Sequence, residues 1–456
     1  MKQYDAIVIG TGRGLSVARS AVKQNLKVAV VEMGPPGGTC LNVGCIPSKF
    51  VISAADRLRE IQEASDFGIR AKVEQVDFRA IMEAMSTYVV KYREQRRAFL
   101  ETNDQVDYYA ARGEFNEPYT LKAGEEVIKS NLIFLASGAR PSKPPIDGLE
   151  GVGYHTNETV LRLDSPPESM LIIGGGYIGV EYGHFFSAMG TRVTIVEIGD
   201  RLLKREEPEI SDVLMESLSR HMDIRTGTQP VRVSKEKAHY ELVCKCEEEP
   251  NEVILKAEAI MVATGRKPNS DLLGVEKTGV QTDDRGFIKV DDYYETSMEG
   301  IWSFGDAIGK GMFTHAGNRE AAITWANAYK GEKATLDYLA VPHAVFTRPQ
   351  IASVGLNEAE AAEKHDVLVG RAEYKDTVKG AALRQKSTFA KVIAEAGTHR
   401  LLGFHIIGPY APMLIQEATN VLAARGTADD LTQGMHIHPA MSELIPAAVR
   451  DLSKPE

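Results

Sequence analysis

In the stretch GGTCLNVGCIPSK, residues 37–49, Cys40 and Cys45 stand five positions apart, with glycines on both sides and Pro47 just beyond. Two thiols this close can make and break a disulfide, a two-electron change, if the chain folds back between them. Bridged Cα atoms lie roughly 4.4–6.8 Å apart, whereas five extended residues reach about 17 Å. Gly44 eases that turn. Downstream, Phe50, Ala54, Leu58 and Ile61 recur at helical spacing, and Pro47 suits a first turn. Cys45 is therefore expected near a helix N-terminus, where the dipole favours the reactive thiolate. Two other readings compete. A zinc site wants about four Cys or His ligands, and nothing near the pair supplies the others. Two reduced thiols packed as small hydrophobes would not need a glycine-flanked loop. Cys244 and Cys246, in LVCKCEEE, differ: two apart in a strand pattern, they share one face too closely for an easy bridge and read as structural.

The elements that must position this pair follow from an internal repeat. DAIVIGTGRGLSVARSAVKQNLKVAVVEMG from Asp5 and SMLIIGGGYIGVEYGHFFSAMGTRVTIVEIG from Ser169 resemble each other. Each reads as apolar strand, glycine turn, helix and second apolar strand ending in an acid, Glu32 or Glu197. Such a βαβ unit lets a pyrophosphate approach bare backbone at a helix N-terminus while the acid bonds a ribose hydroxyl. The second copy is complete, with Gly174, Gly176 and Gly179. The first keeps Gly10 and Gly12 but has Leu15 where the third glycine would stand, and Gly14 one place earlier. Two dinucleotide sites are expected. LIFLASGARP (132–141) and IMVATGRKPN (260–269) read as strands closing each layer, and GIWSFGDAIG (300–309) offers Asp306 for a polar cofactor contact.

Composition bounds the rest. At 456 residues the chain suggests roughly two to four domains. Apolar residues at 43% and charged ones at 25% match an ordinary soluble globular protein. With 53 Lys and Arg against 63 Asp and Glu, the net charge of -10 argues against a nucleic-acid partner. No export signal opens the sequence, and no apolar run is long enough for a membrane span, so a cytoplasmic protein is expected. Four cysteines are too few for a stapling framework there. From VPHAVFTRPQIASVG at 341 the pattern turns to β-rich stretches and a helical run from Ala411 to Arg425, a separate α/β domain suited to assembly.

GGTCLNVGCIPSK, GGGYIGVE, FGDAIG and HIHPAMSE together, in this order across essentially the whole chain, resemble the FAD-dependent pyridine nucleotide-disulfide oxidoreductases. The resemblance implies two Rossmann-like dinucleotide-binding domains plus a C-terminal α/β dimerisation domain: FAD at 1–148 and 269–340, NAD at 149–268, and homodimer contacts at 341–456. It implies that Cys45 is the flavin-proximal thiol forming a charge-transfer complex and Cys40 the interchange thiol meeting the substrate. Lys49 would pair with Glu181 near the flavin N5, and Asp306 would hold the ribityl chain. Gly38, Thr39, Lys49, Ala136, Gly138, Gly265 and His315 join the expected cofactor contacts. His438, directly before Pro439, would be the base, oriented by Glu443 and facing the partner subunit's cysteines; His436 does not occupy that position. No metal is expected.

Glu197 would accept bonds from the 2'-OH of NAD and repel the 2'-phosphate of NADP, although Arg201, Lys204 and Arg205 follow closely. NAD preference points to dihydrolipoamide oxidation, with the lipoyl group free or on a carrier protein. SKFVISAADRLREIQEASDFGI and EYGHFFSAMG look closer to mycothione reductase, so reduction of a small-thiol disulfide is the alternative. Mercuric reductases carry a further cysteine pair near the C-terminus, where this chain reads AAVRDLSKPE. Transhydrogenases of this fold typically lack an intact redox pair. A nucleotide-binding flavoprotein acting only in assembly would leave Cys40, Cys45, His438 and Glu443 without joint purpose.

Overall fold

The two halves of the first repeat, Ala6–Ile9 and Val28–Val31, are fully buried apolar runs and pair in parallel around the helix Gly14–Val22. Burial on both faces is why neither strand alternates with polar residues. The computed structural model describes residues 1–246 and 251–455. Val106–Tyr109 extends this sheet beyond Val28–Val31; Ile133–Leu135 and then Ile301–Ser303 extend it on the other side, all parallel. Segments more than 160 residues apart thus complete one layer, with Ser303 opposite Leu135. The second repeat builds its own parallel sheet in the order Asp223–Arg225, Arg192–Val196, Ser169–Ile173, Ala259–Val262, around the helix Tyr177–Ala188. Ala259–Val262 therefore closes its layer as expected, whereas Ile133–Leu135 lies inside the first sheet, whose edge is Ile301–Ser303. A two-stranded ladder, Ala139–Pro141 against Arg266–Pro268, ties the two closing segments together.

The C-terminal part is a five-stranded antiparallel sheet in the order His343–Val345, Ile351–Gly355, Leu401–Ile407, Phe389–Glu395, Val367–Glu373. Helices Ala411–Ala423 and Leu444–Arg450 cover it through Ile415, Leu422, Leu444 and Ile445. The first of these ends two residues short of the expected Arg425, which takes φ +56° as the Gly426 N–H turns back to the carbonyl of Val421. Among the described residues no helix is long and apolar enough to cross a membrane.

Cys45–Gln62 is the expected helix after the cysteine pair, but its buried face is not the expected one. Val51, Ile52, Ala55 and Arg59 are buried, while Phe50 and Ile61 lie at the surface. The helix is sandwiched between Tyr177–Ala188 and Phe78–Thr102, so Phe185, Met82 and Met85 select the packed stripe. Cys244 is buried in the strand His239–Cys246 and burial pushes its thiol up to about 11, which suits a structural role.

Candidate active site

The loop between the two cysteines closes through the short helix Gly38–Asn42. The Val43 N–H bonds the Thr39 carbonyl at 2.9 Å, and Gly44 then passes so close that a Cβ there would lie 2.9 Å from that oxygen and 3.2 Å from Cys40 Cα. Glycine at 44 is thus what returns Cys45 to Cys40. Two donors from outside, Arg93 and Asn157, pin the loop. Asn42 accepts from Arg93 Nε at 2.8 Å, and Asn157, ahead of the second repeat, donates to the Val43 carbonyl at 2.8 Å.

Both thiols are free, so the pair stands in its dithiol form. The Cys40 thiol gives its hydrogen to Cys45; this bond, with burial, pushes Cys40 far up, and the same bond pulls Cys45 down. Thr314 Oγ1, 3.5 Å from Cys45 Sγ, and Lys49 help bring Cys45 to about 6 against the opposing effect of burial. Lys49 lies one helical turn beyond Cys45, and its Nζ meets both oxygens of the buried Glu181 at 2.7 and 2.9 Å. Glu181 also accepts from the Phe346 N–H at 3.0 Å, and the ammonium sits 4.7 Å from the Phe346 ring centroid. In the reduced protein, iodoacetamide should therefore modify Cys45 with a rate that rises through a midpoint near pH 6, because only the thiolate above that pH reacts. A midpoint at the ordinary thiol value near 8.5 would contradict this geometry.

A cavity of about 780 Å³ begins beside Cys40, lined by Gly10, Gly12, Glu32, Gly38, Thr39, Ala136, Gly138 and Asp306. Its floor fits a dinucleotide. Gly10 has φ +96°, and a Cβ there would lie 2.2 Å from the Ala136 carbonyl oxygen; one on Gly38 would lie 2.6 Å from Gly12 Cα. Only bare backbone can form this surface, which is what a pyrophosphate requires. Gly14 resolves the irregular first motif: its Cβ would meet Val8 at 2.8 Å, so it provides the close helix-to-strand approach and Leu15 is simply buried core. In the second copy Gly179 does this, its Cβ falling 1.9 Å from the Gly174 carbonyl oxygen.

The acids repeat the same geometry. Glu32 accepts from the Thr11 N–H at 2.8 Å and the Gly34 N–H at 2.9 Å; Glu197 accepts from the Gly175 N–H at 2.6 Å and the Gly199 N–H at 2.7 Å. A carboxylate so held keeps lone pairs for ribose hydroxyls. Arg201 and Lys204 approach Asp200 at 3.6 and 3.9 Å. Asp306, whose carboxyl burial pushes upward, faces Arg266 at 3.8 Å, and Arg266 reaches on to Thr39. Sequence reasoning missed Arg266, Thr314 and Arg13, which also lines the cavity; Arg266 had a signal in its place directly after Gly265, and Arg13 in its place between Gly12 and Gly14. Gly174, Gly176 and Gly265 sit outside this cavity, at the turns of the second layer. His315, expected as a cofactor contact, is not among the residues that line this cavity. Its Nε2 meets the Pro342 carbonyl at 2.7 Å and its ring stacks on Phe313, which draws it off the cavity wall.

His438 Nδ1 lies 2.7 Å from Glu443 Oε1, and Glu443, which also accepts from the Ala440 N–H, is held below the usual carboxylate range by that histidine first. His436 turns instead to Glu417 at 2.9 Å. The His438 ring is largely exposed and does not line the cysteine cavity of its own chain. Elsewhere, Glu207, Glu209 and Glu358 converge, with the Lys391 ammonium among them at 3.0, 2.9 and 2.6 Å.

A family model described as pyridine nucleotide-disulphide oxidoreductase matches residues 4–321, and the dimerisation domain of the same oxidoreductases matches residues 341–449. The chain is similar to mycothione reductase of Mycobacterium tuberculosis, at 34% identity over 99% of this chain and 100% of that protein. It is 35% identical to dihydrolipoyl dehydrogenase of Synechocystis, covering 98% of both. The solved structure of the HOCl-induced flavoprotein disulfide reductase RclA from Escherichia coli superposes with a TM-score of 0.87 at 26% identity, over 98% of this chain and 99% of that one.

Proposed function

From the premise that this chain belongs to the pyridine nucleotide-disulphide oxidoreductases, we propose that it oxidises a dihydrolipoyl dithiol with NAD through Cys40 and Cys45. The family places FAD and a nicotinamide dinucleotide with the chain and makes it a flavin disulfide oxidoreductase that pairs as a homodimer. The dithiol and the coenzyme preference are our reading. The observation that carries it is Glu197, whose half-buried carboxylate ends the second repeat where a 2'-phosphate would have to lie.

FAD, when bound, supplies a two-electron relay between nicotinamide and sulfur. The rest falls to the chain. With Cys40 and Cys45 joined, His438 of the partner subunit takes a proton from one substrate thiol, and that sulfur attacks Cys40 Sγ. The bond between Cys40 and Cys45 breaks, and Cys45 leaves as the thiolate that Thr314 and Lys49 stabilise. The second substrate thiol then attacks the substrate sulfur of the mixed disulfide. It expels Cys40, which takes up that thiol's proton. Substrate has lost two electrons and two protons; the protein holds the electrons as its dithiol, with one proton on Cys40 and one on the histidine. Glu443 keeps the imidazole oriented, and the low pKa of Cys45 makes it the leaving sulfur.

A second reading has support in the full-length likeness to mycothione reductase: the same steps run in reverse, reducing a small-thiol disulfide. The test is a rate comparison of dihydrolipoamide with NAD or NADP against glutathione, mycothiol and coenzyme A disulfides with NADH or NADPH. We expect the highest kcat/KM for dihydrolipoamide with NAD, and NAD preferred over NADP by at least about tenfold, the cost of roughly 1.4 kcal/mol of phosphate repulsion. A faster small-thiol disulfide with NADPH would overturn the reading. A lipoyl carrier protein as partner and a cytoplasmic setting, where thiols stay reduced, belong to the same proposal.

A further inference from the structure

One buried carboxylate outside the steps above joins three distant parts of the chain. Glu206, only 2% exposed, follows the second repeat. Its Oε1 accepts from Tyr177 Oη at 2.9 Å and lies 2.6 Å from His343 Nε2; its Oε2 accepts from Ser353 Oγ at 2.7 Å. Tyr177 opens the helix that carries Glu181, whereas His343 and Ser353 sit on adjacent strands of the C-terminal sheet. Burial pushes the Glu206 carboxyl up, but the His343 and Ser353 bonds outweigh it and bring it to about 2, so the group is an anion held by its donors.

The histidine passes this hold onward. The His343 ring lies nearly parallel to Phe313, centroids 5.7 Å apart at 6°, and Phe313 stacks in turn on His315 at 5.5 Å and 8°. Tyr177 touches both His343 and Phe313, at 5.7 and 6.4 Å. Phe313 lines the cavity and directly precedes Thr314, the first residue of its helix and the hydroxyl beside Cys45.

We propose that Glu206 and His343 are positioning residues: their bond seats the Phe313 ring, and through it holds the Thr314 hydroxyl on Cys45. Neither touches the sulfurs; they act through the rings between. The clasp rests on the redox role of Cys45 and not on which dithiol or disulfide is the substrate.

Iodoacetamide modification of the reduced holoenzyme tests this at pH 6, read separately at Cys45 and Cys40 by peptide mass. Glu206→Gln and His343→Gln are each expected to slow modification of Cys45 about fivefold, the drop that follows when the thiolate fraction falls as the thiol rises by about one pKa unit. A lowered melting temperature with Cys45 rates unchanged in both variants would overturn the proposal, since a merely structural tie destabilises without moving the thiolate. Should Glu206→Gln not fold, His343→Phe keeps the ring and removes only the bond: slowed modification upholds the clasp and an unchanged rate refutes it. Because no substrate enters this measurement, failure of the dihydrolipoamide assay and failure of the clasp are separate results.

Discussion

Cys40→Ser should lower turnover by more than about a thousandfold while Cys45 remains open to iodoacetamide. The two sulfurs do different work in this geometry. Cys40 borders the cavity and keeps its proton, donating it toward Cys45; Cys45 opens the helix, with Thr314 and Lys49 beside it. A serine at 40 still offers a hydroxyl hydrogen to Cys45, so the thiolate survives, but an alkoxide cannot replace the sulfur that forms the mixed disulfide. Steady-state rates on the purified variant, with peptide mapping of the modified thiol, read both halves of this expectation. Turnover within tenfold of the parent would sink the role given to Cys40.

The second large effect is at His438. Substitution by Gln keeps a hydrogen-bonding side chain but removes the imidazole that takes and returns a proton, and general-base transfer contributes typically about a hundredfold to ten-thousandfold. A loss of that size in kcat is expected, and a smaller one for Glu443→Gln, which leaves the imidazole in place but frees its orientation. Because the His438 ring is exposed and apart from its own cysteine cavity, the base is expected to serve the other subunit. Coexpression makes this measurable. Chains carrying Cys45→Ser paired with chains carrying His438→Gln form a mixed dimer with one intact site, so random pairing of two dead variants should recover about one quarter of parent activity. No recovery would mean that His438 acts within its own chain.

Much of the scaffold was legible because the forces that set it are local and repetitive. Apolar runs buried on both faces, a glycine turn and a closing acid recur at Asp5 and at Ser169, and each recurrence folds into the same layer with the same backbone bond, from the Gly10 N–H to the Val31 carbonyl and from the Gly174 N–H to the Val196 carbonyl, both at 2.8 Å. The fold-back at Gly44 was equally readable, since two cysteines five apart can meet only if the intervening chain turns. The irregular first motif was harder. Gly14 and Leu15 could be told apart only once Val8 was seen to lie beneath residue 14.

What the sequence determined by itself, then, is the kind of chemistry and the parts that perform it: a close thiol pair at a helix start, two nucleotide layers and a separate assembly domain. Periodicity, spacing and the bare backbone of glycine are properties of short stretches, and they survive without knowledge of neighbours. Tertiary structure decided the rest. Which stripe of Cys45–Gln62 is buried depends on the two helices that clamp it, so Val51 and Ile52 are packed where Phe50 was expected. His315 bonds the Pro342 carbonyl because the C-terminal segment passes there, and Arg266 reaches Asp306 only across the ladder that joins the two layers. The Glu206 clasp gathers residues from 177 to 353, and no local signal marks a carboxylate whose partners arrive from separate domains. A long-range contact is stabilised by burial that exists only after the chain has folded, which is why its members are ordinary residues until then.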